Sequence, residues 1–353
     1  EQMLEDLERG AASQDEELRR ILADLIRSIE LLIRAQEREL TLLGERRETE
    51  AYQGLADGMV RLNLNTLRVA EDAAAGPREL APVAELIDRA ADAQAAAVVS
   101  LRADPVNPDE AQRQEQLSLE RLQRALEEAR QIDEQAAERE AERKRQALKK
   151  AYREALTEQV AIAEETAPLV GVQPNRRTRA AARALGERQE TLRQTLADLQ
   201  ASTQELADAV MFSFAHDRLD TAMAGAAKTL GEGEADAAVR ARQDSAIRIL
   251  QSILEALDRD SQQDDPFREN PESEEGGAGG GGGFLLIIPS TAELRLLRAM
   301  QVEAGELTRQ AAETQDASLT DEAATLQSDL AARAEALLKS MMERQQQGGR
   351  EGQ

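Results

Sequence analysis

The sequence predicts an all-α protein: duplicated four-helix units joined by a long helix, with a C-terminal helical hairpin after a Gly-rich linker. Three observations predict it. The first is internal repetition. Leu43–Asp57 (LGERRETEAYQGLAD) returns 142 residues on as Leu185–Asp198 (LGERQETLRQTLAD). Arg113–Ala129 (RQEQLSLERLQRALEEA) returns without a gap, 128 residues on, as Ala241–Leu257 (ARQDSAIRILQSILEAL), which pairs Leu122 with Leu250. Between them, Leu101 sits opposite Leu230. Duplication at this period marks a helical array whose units bury apolar faces on their neighbours. The second observation is an apolar stripe at three- and four-residue spacing, the period of an α-helix. The third is composition. Aromatic residues make up 2 % of the chain, with no Trp, two Tyr and four Phe. A thick core normally uses aromatic bulk, so the seams are expected to be narrow and built from Leu and Ala.

The elements follow in order. Ser13 and Glu16 read as a capping box. The helix after it carries Leu22, Leu25, Ile26, Ile29, Leu32, Ile33, Leu40 and Leu43 on one stripe, and Gly44 ends or bends it. A second helix is expected over residues 45–75, stopped at Gly76-Pro77, and a third over 81–103. Asp104-Pro105 then breaks the chain; Asn107 caps the next helix, Pro108 suits its first turn, and Asp109 and Glu110 favour its dipole. No Gly or Pro interrupts from there to Ala167. That is one helix of roughly 90 Å at 1.5 Å per residue. Its middle, Asp133–Ala147, has no large apolar residue and reads as a solvated strut, with a bend there as the alternative. Helices over 177–211, 217–230 and 235–260 repeat the plan. After the linker, Ser290 to Glu293 forms another capping box, a helix follows through Leu294, Leu296, Leu297 and Met300, and a last helix carries Leu326, Leu330, Leu337, Leu338 and Met341.

The expected organisation is therefore a first unit at 1–132, a strut at 133–150 and a second unit at 151–260. A flexible linker at 261–283, acidic and then almost pure glycine, leads to a hairpin at 284–345 and a disordered tail at 346–353. A two-helix hairpin rarely buries enough surface to stand alone. It must fold back on a bundle of this chain, pair with a second copy or receive helices from a partner; docking on a partner or second copy is favoured, with Phe284, Leu285, Leu286 and Ile287 as the anchor and Leu326, Leu330, Leu337, Leu338 and Met341 as the contact stripe.

Charge and composition exclude several classes. The formal net charge is −24 with 32 % charged residues, and the pI is about 4.6. Phosphate backbones and anionic lipid surfaces are repelled on average, so nucleic acid is not an expected partner. With no Cys there is no disulfide, thiolate nucleophile or Cys-ligated metal. No run approaches the ~18 apolar residues of a membrane span. The chain opens with Glu1 rather than Met, which points to a processed, exported protein.

Motifs that carry chemistry are few. His216, the only imidazole, sits beside Phe212, Phe214 and Asp217. As a general base it would be oriented by the carboxylate; as a structural residue it would belong to a small aromatic cluster, and the first copy has no equivalent His-Asp pair. One histidine cannot meet the Glu-x-x-His recipe of a di-metal bundle, and no cofactor is expected. Gly276–Gly283 lacks the Lys-Ser/Thr of a phosphate cradle and reads as linker. The basic run Arg143–Arg153 reads as the wet face of a helix, balanced by Glu138, Glu140 and Glu142; its alternative is docking of an acidic partner. Gln36, Gln159 and Gln301 recur at comparable points of the opening helices, either as register-setting polar residues on a seam or as half-exposed flanks.

Ile288–Gln301 (IPSTAELRLLRAMQ), the Gly-rich linker before it, and the Ala/Gln/Leu pattern ending each repeat resemble a loose group of exported helical proteins of planctomycete-type bacteria. The resemblance covers the last ~70 residues best. It implies a cell-envelope setting, periplasmic or otherwise extracytoplasmic, sometimes beside biopolymer-transport motor components, and no catalytic residue. The expected function is a non-enzymatic scaffold or adaptor acting through helix–helix protein contacts. The alternatives are a ligand carrier or enzyme with a site between the repeats, and a cytoplasmic coiled-coil structural protein.

Overall fold

The computed structural model describes residues 2–49, 52, 54–173, 175–258, 288, 290–314 and 317–348. The expected linker 261–283, the anchor Phe284–Ile287 and residues 349–353 of the tail lie outside the described residues. Among the described residues every regular element is helical. In order they are α1 (Gln2–Thr49), α2 (Leu55–Ala74), α3 (Ala81–Leu101), α4 (Pro108–Thr166), α5 (Arg176–Ser202), α6 (Gln204–Asp208), α7 (Val210–Gly231), α8 (Ala237–Asp258), α9 (Ser290–Thr314) and α10 (Ala317–Gly348). The all-α class is thus the observed one.

Two compact units divide within α4, between Glu140 and Ala141. In the first, α1, α2, α3 and the opening part of α4 close around Leu22, Ile29, Leu43, Met59, Ile87 and Leu122, all essentially inaccessible. In the second, the rest of α4 packs with α5 to α10 around Tyr152, Ile162, Leu206, Phe212, Leu250 and Leu296. Local chemistry sets the ends. Asn107 Oδ1 accepts from the Glu110 amide at 3.2 Å, capping α4 as expected. Asn175 and Thr178 form a reciprocal capping box that starts α5.

Several expectations are corrected. α1 runs through Ser13, so that residue does not begin a helix, and it also passes Gly44 to Thr49. Leu43 buries against the core and holds the helix together past the glycine; α2 starts only at Leu55, after Gly54. The helix expected over 177–211 breaks at Thr203, where the chain turns so that Leu206, Ala209 and Met211 all enter the core. α7 accordingly starts at Val210 rather than Asp217. The segment 133–150 is helical but is not a separate strut. Ala136 buries in the first unit and Ala141 in the second, and Arg19 of α1 pairs with both Asp133 and Glu140.

The hairpin is the largest correction. α9 and α10 pack on each other and on α7, and α9 also meets α8. Ile288, Ala292, Leu296, Met300, Leu326, Leu330 and Leu337 belong to the core of the second unit. Glu293 Oε2 accepts from the Met211 backbone N–H at 3.0 Å, so a side chain of α9 satisfies the first turn of α7. The hairpin completes its own chain's fold because unit-2 helices supply the apolar partner that two helices alone lack.

Burial registers can be compared helix by helix. On the last helix of each four, positions 111, 115, 118, 122, 125 and 129 are buried, and so are positions 128 residues on. On α3 and α7, positions 83, 87, 90, 94, 97 and 101 match positions 129 residues on. Leu122 and Leu250 therefore share a register, as do Leu101 and Leu230. Leu43 and Leu185 do not: they lie on the first and second helices of their sets, α1 and α5. In burial, Leu43 corresponds to Thr166 and Leu185 to Gly58.

Candidate functional site

The expected contact stripe on α10 splits into two faces. Leu326, Leu330 and Leu337 are buried in the core of their own unit and Met341 is half-buried against it, so they do not form a free stripe. This corrects the expectation that they face a partner, and the reason is the packing of α10 on α7 and α9. Leu338 is 61 % exposed, and Met342, absent from the expected set, is 53 % exposed. The two lie four residues apart on one side of α10, the spacing at which a helix presents neighbouring anchors.

Each unit also carries polar side chains in its interior. In the first, Gln94 Nε2 donates to Gln36 Oε1 at 2.9 Å, linking α3 to α1. In the second, Gln159 and Gln189 exchange amide hydrogen bonds at 2.6 and 3.2 Å, joining α4 to α5. Gln243 of α8 donates to Thr166 Oγ1 at 3.1 Å. All are fully buried. An amide pair that exchanges both hydrogen bonds in a low-dielectric seam, as Gln159 and Gln189 do, fixes register, because a one-turn slip strands both groups. Gln36 and Gln159 are thus seam residues, whereas Gln301 is exposed. Gln94, Gln189 and Gln243 were not singled out from the sequence. The gapless match held a signal for Gln243, since it sets a polar residue, Glu115, opposite it in a mostly apolar register.

His216 lies in the second turn of α7, buried, with its ring 5.8 Å from that of Tyr152. Tyr152 Oη and His216 Nε2 are 2.6 Å apart. Burial pushes the imidazole down to about 4 and the phenol well above its usual range. At neutral pH the ring is therefore uncharged and shares one hydrogen bond with the phenol, its direction set by the ring tautomer. Asp217 is exposed and does not orient it, so the carboxylate-directed base is not formed. In the first unit, the positions of like burial register hold Ile29 and Ile87, both buried. A groove of 380 Å³ beside His216 is lined by Arg193, Leu196, Gln200, Asp217 and Asp220 among others. Arg193 is already held by Glu190 and Asp220, at 2.7 and 2.6 Å.

Three members of the basic run are held in internal pairs. Lys149, buried, and Arg153 both reach Asp258 at the end of α8, at 3.4 and 3.1 Å, and Arg145 pairs with Glu142. Among the described residues, no group of three or more His, Cys, Asp or Glu is arranged to hold a metal ion. None of the described helices is long and apolar enough to cross a membrane. No protein-family model, curated protein or solved structure matches the chain.

Proposed function

We propose that this chain is a non-enzymatic helical scaffold of the bacterial cell envelope, built by duplication of a four-helix unit, that binds a protein partner through helix–helix contact. The observation that carries the reading is the pair Leu338 and Met342, exposed on a helix whose opposite side is committed to the core. The matched burial registers support the duplication. The envelope setting rests on the resemblance of Ile288–Gln301 and its flanks to exported helical proteins. A partner would offer an amphipathic helix whose apolar side covers Leu338, Met341 and Met342, the mode in which i and i+4 anchors enter a groove.

The test is a photo-crosslinking residue at position 335, exposed one turn before Leu338, used in whole cells, with crosslinked species mapped after fractionation. An envelope protein crosslinked through a helical segment is expected, and the product should disappear in a Leu338→Asp/Met342→Asp chain of unchanged thermal stability. A crosslink confined to cytoplasmic proteins would overturn the envelope reading; an undiminished one in the double variant would overturn the surface. A second reading, a carrier of a small polar ligand, is favoured by the groove beside His216.

A further inference from the structure

Glu115 lies on the inner side of α4 in the first unit, 1 % exposed, with its Oε2 lacking any hydrogen-bond partner. The carboxyl that acts on it is Glu39 of α1. Glu39 in turn is pressed against α2: a Cβ added at Gly58 would stand 2.8 Å from its Oε2. Three residues along each helix lie Gln36 and Ser118, and α3 contributes the neutral Gln94. Gln36 Nε2, Gln94 Oε1 and Ser118 Oγ are also buried without partners. Two cations act nearby, Arg61 of α2 and Arg38 of α1, and both act on Glu39 rather than on Glu115.

An ionised carboxylate left buried without a cation is strongly disfavoured and neutralises instead. We propose that Glu39 and Glu115 form a proton-binding site, occupied by one proton carried on Glu115, so that the first unit folds with net proton uptake at neutral pH. Burial, reinforced by the Glu39 charge, pushes Glu115 up to about 8. Glu39 is raised by its own burial but opposed by Arg61 and Arg38, which makes it the partner that ionises first. Protonation also turns Glu115 into an O–H donor among acceptors that lack one. In the second unit the matched register holds Gln243, a side chain of the same shape that is neutral at every pH.

The sign follows from linkage. Glu115 binds its proton more tightly folded than unfolded, from 4.5 in the free side chain to about 8. Its stabilising contribution is complete below 4.5 and is lost as pH rises through 8. Between those limits unfolding releases one proton, and the unfolding constant rises roughly tenfold per pH unit from this group.

The experiment is urea unfolding of the full chain at pH 7 in weak buffer with an indicator dye. The native sequence is expected to release about one proton more than Glu115→Gln. Equal proton counts would overturn the proposal, and stabilisation by added Mg²⁺ or Ca²⁺ alongside equal counts would assign the pair to a cation instead. Should Glu115→Gln fail to fold, Glu39→Gln serves. Without the Glu39 charge, the alkaline limit of proton release should move to lower pH, and an unmoved limit would overturn the pair.

Discussion

Acidification should loosen the second unit through His216, and the size of the effect follows from its burial. The ring is 3 % exposed and its folded-state value falls from 6.5 to about 4. A depressed value means the folded state binds the proton less well than the unfolded chain. The stability this represents is present above pH 6.5 and is lost as pH falls towards 4. At 1.36 kcal/mol per pH unit the loss is about 3 kcal/mol. Carboxylates titrate over the same range, so the comparison is with His216→Gln, whose amide oxygen accepts from Tyr152 but carries no titrating group. The chain has no Trp and two Tyr, so Tyr152 emission in a Tyr52→Phe background reports on the second unit. Urea unfolding at pH 7 and pH 4 should show the histidine chain losing about 3 kcal/mol more than the glutamine chain. Equal losses would falsify the assignment of a neutral, buried ring.

Three further outcomes test the packing. Gly186→Ala should destabilise the second unit by about 1–3 kcal/mol, because an added Cβ meets the Gly231 nitrogen at 2.7 Å and the Ala227 oxygen at 3.1 Å, both backbone atoms that cannot swing away. Gly44→Ala, in open space in the last two turns of α1, should instead gain about 0.5–1 kcal/mol; thermal melts of the two chains decide it. Glu293→Ala leaves the Met211 N–H without its acceptor and should cost about 1–3 kcal/mol, seen as faster amide exchange in α7 and α9 with the first unit unchanged.

The helical class was legible because Leu and Ala recur at helical spacing and because Asn107, Pro105 and Pro77 are local signals that act through a few neighbouring atoms. The continuation of α1 past Gly44 was not, because glycine inside a long helix is tolerated when its neighbour Leu43 is anchored. That anchor is tertiary and leaves no local mark. The hairpin's destination was equally hidden. Apolar stripes on α9 and α10 require a cover but do not say whether it comes from this chain or another. Ile288 and Glu293 decide the matter only once α7 and α8 stand beside them.

The polar interior shows the same limit more sharply. The gapless match of Arg113–Ala129 to Ala241–Leu257 sets Glu115 opposite Gln243, and both positions are buried. What the alignment does not contain is that both positions point inward, since a helix rich in Glu and Gln offers the same residues to solvent. Once burial is known, the difference between the copies carries chemical meaning. At one register a neutral amide donates to Thr166; at the other a carboxyl faces Glu39 with no cation acting on it directly. Likewise Ile29 and Ile87 stand where the second unit places Tyr152 and His216. The same burial frame thus accepts apolar side chains, a neutral hydrogen bond or a protonated acid at matching points. These substitutions give the two units opposite responses to acid, Glu115 favouring the fold at low pH and His216 favouring it at high pH.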